Sequence, residues 1–488
     1  MNTPARRLYV LITALFAVLV FATAWWSVAR PESLRDNTEN KRALLEQQRI
    51  HRGTIRAADG AVLARSIPGA GGTWTRRYTG DDADVSQTIG YSYTNVGQVG
   101  LEKYRNDELT GETNGIESLV DQVLGKEQVG NDVTTTIDLA AQRIALQQLA
   151  GRKGAVVAIE PDTGKVRVMA SVPGFDANSV RDPKTYRALN RDTANSPLFN
   201  RATQASYPPG STFKVVTTAA ALDSGQYTPD SVLDGSSPQV VSGVPLANDD
   251  DVSYGNITLT TALTHSVNTV FAQIGEDLGK ATMAKYMKRF GFDAKPPLDY
   301  PADQMLASGE YDRRTGRLLP TTSPRVDVGR MAIGQDKLQV TPLQMATVAA
   351  TVANDGVRVA PRLTDKITDP DGRVVERIEP KEEERVMSVK SARELGEMMQ
   401  NVVREGTGTA AALSGIDVAG KTGTAQIDPD RNITQPWFIA FAPADAPKMA
   451  IAVTVERSEG GFGGTEAAPI AKAVLEQLIS HPPHEASG

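Results

Sequence analysis

The chain has 488 residues, enough for two or three domains with sizeable cores. A net charge of −6 leaves no basic footprint for nucleic acid, and the absence of cysteine removes disulfides, thiol nucleophiles and Cys-ligated metals. The four histidines, His51, His265, His481 and His484, form no zinc pattern such as H-E-x-x-H.

Leu8 to Val28 is an uncharged apolar run that meets the roughly 20 residues a bilayer span requires. Arg6 and Arg7 precede it, which favours a cytoplasmic N-terminus and an extracytoplasmic location for everything after Arg30. Trp25 and Trp26 stand at the far end, where aromatic rings favour the membrane interface. Ala22-Thr23-Ala24 could mimic a signal-peptide cleavage site, but the run exceeds the roughly 7–15 residues of a signal core. Residues 1–29 therefore read as a cytoplasmic tip and single-pass anchor.

Residues 30–150 read as a non-catalytic pedestal of docking or dimerisation type. Leu34 to Arg49 is polar and runs into an expected helix. Arg52-Gly53-Thr54-Ile55 followed by Asp59-Gly60 between apolar flanks signals a hairpin. Gly97 to Glu102 forms a second cluster, with no nucleophile and no metal cage. Asp138 is placed to cap a helix from Leu139 to Ala150, with Gly151 just past its end.

A new domain opens there, over 151–480. Gly154 to Ile159 reads as a buried strand, Asp162-Thr163-Gly164 as a turn, and Val166 to Ala170 as the returning strand. At the far end, Gln435 to Pro443 and Met449 to Glu456 are two more strands, followed by a helix from about Ala467 to Ile479. Hairpin, helices, strands and a last helix give an α+β domain, an antiparallel sheet covered by helices. Residues 481–488 form a short tail.

Three strings in this domain carry chemistry. In Ser211-Thr212-Phe213-Lys214, the Pro208-Pro209-Gly210 turn aims Ser211 at the first turn of an apolar helix. Lys214 lies three residues on, where its amine can reach the hydroxyl and act as base. The helix start supplies N–H groups and a field that lowers the lysine pKa. Ser266-Val267-Asn268 follows a helical stretch from Leu259 to His265. Its serine can relay a proton to a leaving amine, and Asn268 can donate to a substrate carbonyl while accepting from a lysine. His265 reads as structural, because a lysine already fills the base role.

Lys421-Thr422-Gly423-Thr424 lies in a strand-like run from Val418 to Ile427, paired with the strand of Trp437 and Phe438. Lys421 brings a second cation, depressing Lys214 further and holding a substrate carboxylate. Gly423 in mid-strand signals close approach of another backbone. An extended peptide can add along such a strand, and the N–H groups of Ser211 and Thr424 can form an oxyanion hole. Each string is weak alone.

Their ordered combination resembles the penicillin-binding proteins and serine β-lactamases, whose S-x-x-K, S-x-N and K-[ST]-G elements it matches. The flanking Asn200-Arg201-Ala202, the segment from Gly334-Gln335 to Ala346, and the Arg52-Gly53 and Gly100-Leu101-Glu102 clusters resemble class B penicillin-binding proteins. The run after the anchor is most like the actinobacterial penicillin-binding protein A type. The chain departs from many class B members at Ala57-Ala58-Asp59-Gly60, where they carry Asp-Arg-Asn-Gly.

The resemblance implies a peptidoglycan D,D-transpeptidase that acylates Ser211 with a stem peptide, takes lipid-linked wall precursors as substrates, is trapped by β-lactams and needs neither a metal nor an organic cofactor. Lys214, Ser266, Asn268 and Lys421 are the remaining catalytic residues, and Thr422, Gly423 and Thr424 bind substrate. It further implies a polytopic glycan polymerase as partner, with no glycosyltransferase domain in the pedestal. A D,D-carboxypeptidase or β-lactamase shares the serine mechanism, and a non-catalytic β-lactam sensor is the remaining alternative.

Overall fold

The structure is a computed structural model and describes residues 3–29, 48–79, 84–112 and 129–482. It opens with helix α1, Thr3–Ala29. Within α1, Arg6–Thr23 has a mean hydropathy of 1.8 and is exposed throughout. Thr13 and Thr23 donate their hydroxyl hydrogens to the carbonyls of Tyr9 and Leu19, so the helix satisfies them internally, as a bilayer requires. Most of the stretch from Leu34 to Arg49, expected to run into a helix, lies outside the described residues, as does the tail beyond 482.

The expected hairpin around Asp59-Gly60 is formed by β1 (Ile55–Arg56) and β2 (Val62–Pro68), with Ala61 N donating to Asp59 Oδ1 at 2.9 Å. β3 (Trp74–Tyr78) extends it antiparallel, and β4 (Asp132–Thr135) joins β1 in parallel. The Gly97 to Glu102 cluster leads into a short helix, Gly100–Tyr104, which sends Glu102 into the interior. There its carboxylate accepts from Arg52 Nε at 2.7 Å and from Arg76 Nε at 2.6 Å. Burial pushes the Glu102 carboxyl up, but the two guanidinium groups outweigh it and hold it below the usual carboxylate value.

α2 (Leu139–Leu149) is capped as expected, Asp138 Oδ1 accepting from Ala141 N at 3.0 Å. Then come β5 (Gly154–Ile159), β6 (Val166–Val172), α3 (Lys214–Asp223), α4 (Leu259–Thr264), α5 (Asn268–Arg289) and α6 (Pro342–Ala353). β7 (Thr364–Thr368), β8 (Val374–Arg377), α7 (Val389–Arg404), β9 (Ala419–Asp428), β10 (Ile433–Ala442), β11 (Met449–Val455) and α8 (Ala468–Ser480) complete the domain.

The catalytic sheet runs β9-β10-β11-β5-β6, antiparallel at every step. Both faces are buried, and the alternation of a strand sorts its side chains between them. From β10, Trp437, Ile439 and Phe441 pack into the core that holds Leu343 of α6 and Met399 of α7. Phe438 and Ala440 pack on the other face with Ala145 of α2 and Val474 of α8. β9 ends the sheet, so one edge of the lysine-bearing strand faces outward from it.

β7 and β8 do not join this sheet. β7 pairs antiparallel with β4, and β8 with β7, giving a pedestal sheet of order β8-β7-β4-β1-β2-β3. The boundary expected at residue 150 therefore does not separate the two sheets. Without β7, β4 would present a bare row of N–H and C=O groups; the chain returns more than two hundred residues later to cover it.

Candidate active site

Ser211 sits in a short 3-10 turn, Gly210–Phe213, that runs directly into α3. The sequence reading placed it in the first turn of the helix itself. The tighter winding follows from how the turn is clamped. Tyr207 and Val340 exchange backbone hydrogen bonds at 3.0 and 2.8 Å, and Gly210 N donates to Gly334 O at 3.0 Å. Trp437 Nε1 of β10 donates to Pro208 O at 3.0 Å. Gly334, at φ +77, carries the closest contact: a Cβ there would lie 1.9 Å from Gly210 O.

The turn packs against β9. A Cβ on Gly423 would meet Pro209 O at 2.7 Å and Thr212 N at 3.0 Å, the close backbone approach expected of a glycine in mid-strand. A Cβ on Gly210 would lie 3.0 Å from both Thr424 C and O, so the Ser211 and Thr424 backbones are neighbours. Gly463 N donates to Thr424 Oγ1 at 3.2 Å and holds the following loop on the same strand.

Ser266 occupies the junction between α4 and α5 at φ +61, a left-handed conformation that costs a non-glycine residue about 1 kcal/mol or more. That bend turns both its carbonyl and its hydroxyl toward Lys214. Lys214 Nζ donates to Ser266 O at 2.6 Å, to Ser266 Oγ at 3.2 Å and to Asn268 Oδ1 at 2.6 Å. Lys421 Nζ reaches the same Ser266 Oγ at 2.9 Å and its neighbour Thr422 O at 3.0 Å. Both amines are fully buried.

Four of the expected residues, Lys214, Ser266, Asn268 and Lys421, thus share one hydrogen-bonded network. Ser211 differs from expectation. Among the described residues its hydroxyl has no hydrogen-bond partner, because the amine of Lys214 is engaged by the loop between α4 and α5. Such bonds often tighten only once substrate is present. Ser211 is partly exposed and remains accessible.

Burial lowers the Lys214 amine to about 7, with Asp249 opposing. Lys421 is held well below an ordinary lysine, first by burial and then by the neighbouring Lys214 cation, again with Asp249 opposing. The sequence reading credited the helix start and Lys421 with depressing Lys214; desolvation is the leading cause.

His265 stacks on Tyr254, ring centroids 5.7 Å apart, outside the network. Two participants were not foreseen. Thr407 shares a 2.5 Å hydroxyl–hydroxyl hydrogen bond with Thr422, and no sequence signal marks it. Asp249 Oδ1 accepts from Asn268 Nδ2 at 3.2 Å. Its only signal is the run Asn248-Asp249-Asp250-Asp251. Among the described residues no cluster of His, Asp or Glu is arranged to hold a metal.

Residues 154–476 match the family model described as the penicillin binding protein transpeptidase domain, and residues 52–133 match that described as the penicillin binding protein A dimerisation domain. The chain is similar to the peptidoglycan D,D-transpeptidase PbpA of Mycolicibacterium smegmatis, 35% identical over 98% of this chain and 99% of that relative. Among solved structures it is similar to penicillin-binding protein A from M. tuberculosis as a ceftriaxone acyl-enzyme complex, with TM-score 0.79 and 32% identity over 88% of this chain and 99% of that one. It is also similar to the D,D-transpeptidase domain of a peptidoglycan glycosyltransferase from Eggerthella lenta, with TM-score 0.77 and 33% identity over 88% and 99% of the two chains.

Proposed function

The chain belongs to the penicillin-binding protein transpeptidase family, and on that premise we propose that it cross-links peptidoglycan stem peptides as a D,D-transpeptidase, through an acyl-enzyme on Ser211. The observation that carries the residue assignment is a single hydroxyl, Ser266 Oγ, within hydrogen-bond reach of two fully buried lysine amines, one of them three residues along from the partly exposed Ser211.

Ser211 Oγ attacks the carbonyl carbon between the two terminal D-alanines, and its proton passes to the neutral Lys214 amine. The N–H groups of Ser211 and Thr424 take the oxyanion. As the C–N bond breaks, the departing D-alanine receives a proton through Ser266, which both lysines contact. Asn268 donates to the donor amide, and Lys421 with Thr422 holds the terminal carboxylate against the strand edge that Gly423 and Thr424 line. The acceptor amine of a second stem then attacks the ester; it loses a proton to Lys214, and Ser211 leaves reprotonated. A β-lactam opens by the same first step but keeps its leaving group tethered, so the ester persists.

The protein is membrane-anchored. We infer that α1 enters from the cytoplasm, because Arg6 and Arg7 precede it, which places the site on the wall side. Family membership supports a polytopic glycan polymerase as partner of the anchor and pedestal, and because residues 52–133 match a dimerisation domain we infer that chain polymerisation falls to that partner.

Two measurements test this reading. A fluorescent penicillin is expected to label the full chain covalently and to leave Ser211→Ala unlabelled; a labelled Ser211→Ala overturns the assignment. Incubation with a donor–acceptor stem-peptide pair is expected to yield cross-linked dimer. Release of D-alanine without dimer instead identifies a carboxypeptidase.

A further inference from the structure

We propose that Asp249 is a positioning residue of the acylation machinery, fixing the carboxamide of Asn268 and through it the acceptors of Lys214. This rests on the proposed role of Lys214 as base toward Ser211.

Asn268 faces two ways. Its Oδ1 accepts from Lys214 Nζ at 2.6 Å, while its Nδ2 donates to Ala247 O at 3.3 Å and to Asp249 Oδ1 at 3.2 Å. A flipped amide would set the NH2 group against the lysine donor and turn Oδ1 toward a carboxylate and a carbonyl. Asp249 therefore penalises the wrong orientation and favours the one in which Lys214 has an acceptor. When a donor carbonyl arrives it takes one of the two Nδ2 hydrogens, and the exposed Asp249 is the partner that water can replace.

The loop that presents Asp249 is built to hold it there. The buried Asn248 accepts from Thr269 N of α5 at 3.0 Å and donates to Gly235 O and Val252 O at 3.1 and 2.9 Å. The loop is thus pinned to the residue next to Asn268. Asp250 and Asp251 both take φ +54, in the left-handed region that aspartate enters more readily than most L-residues.

The charge of Asp249 has a second, separable effect on Lys214. The groups facing Lys214 are Lys421 from β9, Ser266 and Asn268 from the junction of α4 and α5, and the Phe271 ring of α5 at 5.5 Å from Nζ. Asp249 is the anion that raises both amines against the lowering effect of burial. Its removal leaves Lys214 neutral to a lower pH.

The test compares the full chain with Asp249→Asn, Asp249→Ala and, as a control on the same loop, Asp251→Asn. The second-order rate of covalent labelling by a fluorescent penicillin is followed between pH 5 and pH 9. Asp249→Asn keeps an acceptor for Nδ2 but removes the charge, so the acid limb of its profile is expected to move down by about half a pH unit. Asp249→Ala is expected to show the same shift and an added loss of about tenfold at every pH, as the carboxamide loses its orientation. Asp251→Asn is expected to follow the parent. An acid limb of Asp249→Asn that coincides with the parent overturns the proposal, as does an Asp249→Ala with undiminished rate. A parent chain that is not labelled at Ser211 overturns the functional reading instead.

Discussion

Lys214 shows how a residue of ordinary chemistry becomes a base. Two fully buried amines within reach of one hydroxyl cannot both carry a charge at low cost, and desolvation brings Lys214 to about 7. The base form is the neutral amine, so its fraction rises as pH passes through that value. Acylation of the parent protein is expected to climb between pH 6 and pH 8 and then level, followed by the rate of labelling with a fluorescent penicillin. Arginine stays protonated throughout this range. Lys214→Arg is therefore expected to lose roughly 10²- to 10⁴-fold in rate, with no limb near pH 7. A flat profile for the parent, or an active Lys214→Arg, would move the base elsewhere, with Lys421 the first candidate.

At the scale of elements, the site depends on a turn held from behind. Among the described residues Gly334 makes no hydrogen bond to a catalytic side chain, yet it accepts the Gly210 N–H and leaves no room for a Cβ. Gly334→Ala would force a residue at φ +77 against a backbone carbonyl, which must push the 3-10 turn toward the cleft. A displacement of about 1 Å at a nucleophile costs roughly 10²-fold. The variant is expected to label that much more slowly while its far-ultraviolet circular dichroism stays unchanged; labelling at the parent rate would show that the turn is set by β9 alone.

What the sequence made legible here follows the range of the contact. α2 with its Asp138 cap, β5, β6, β10 and β11 came from patterns a few residues long, and their bounds fell within a residue or two of expectation. The 3-10 turn did not, because its winding is imposed by Gly334 and Trp437. Asp249 and Thr407 were missed for the same reason: they meet partners 19 and 15 residues away in sequence, and no local period records that meeting.

For the whole molecule, the strand exchange between the two sheets is the feature that local patterning hides. β7 leaves the catalytic domain to cover β4, and its entry is stitched by one carboxylate. Asp299 Oδ1 accepts from Leu363 N at 2.5 Å, while its Oδ2 accepts from Thr364 N at 2.9 Å and from Arg105 Nη2, on the pedestal side, at 3.3 Å. Thr136 N donates to Leu363 O at 2.8 Å beside it. The chain that follows the catalytic domain's helices therefore supplies two strands of the pedestal ladder, and the Arg105–Asp299 ion pair joins the two regions, so they should melt as one cooperative unit. Asp299→Ala strands two N–H groups and weakens the pairing of Arg105, at a cost of about 3 kcal/mol. In calorimetry the full chain is expected to unfold in a single transition that this substitution lowers by several degrees, with penicillin labelling at 25 °C unchanged. Two transitions, one of them unmoved by Asp299→Ala, would mean that the sheets fold independently and that β7 is only a guest on the pedestal edge.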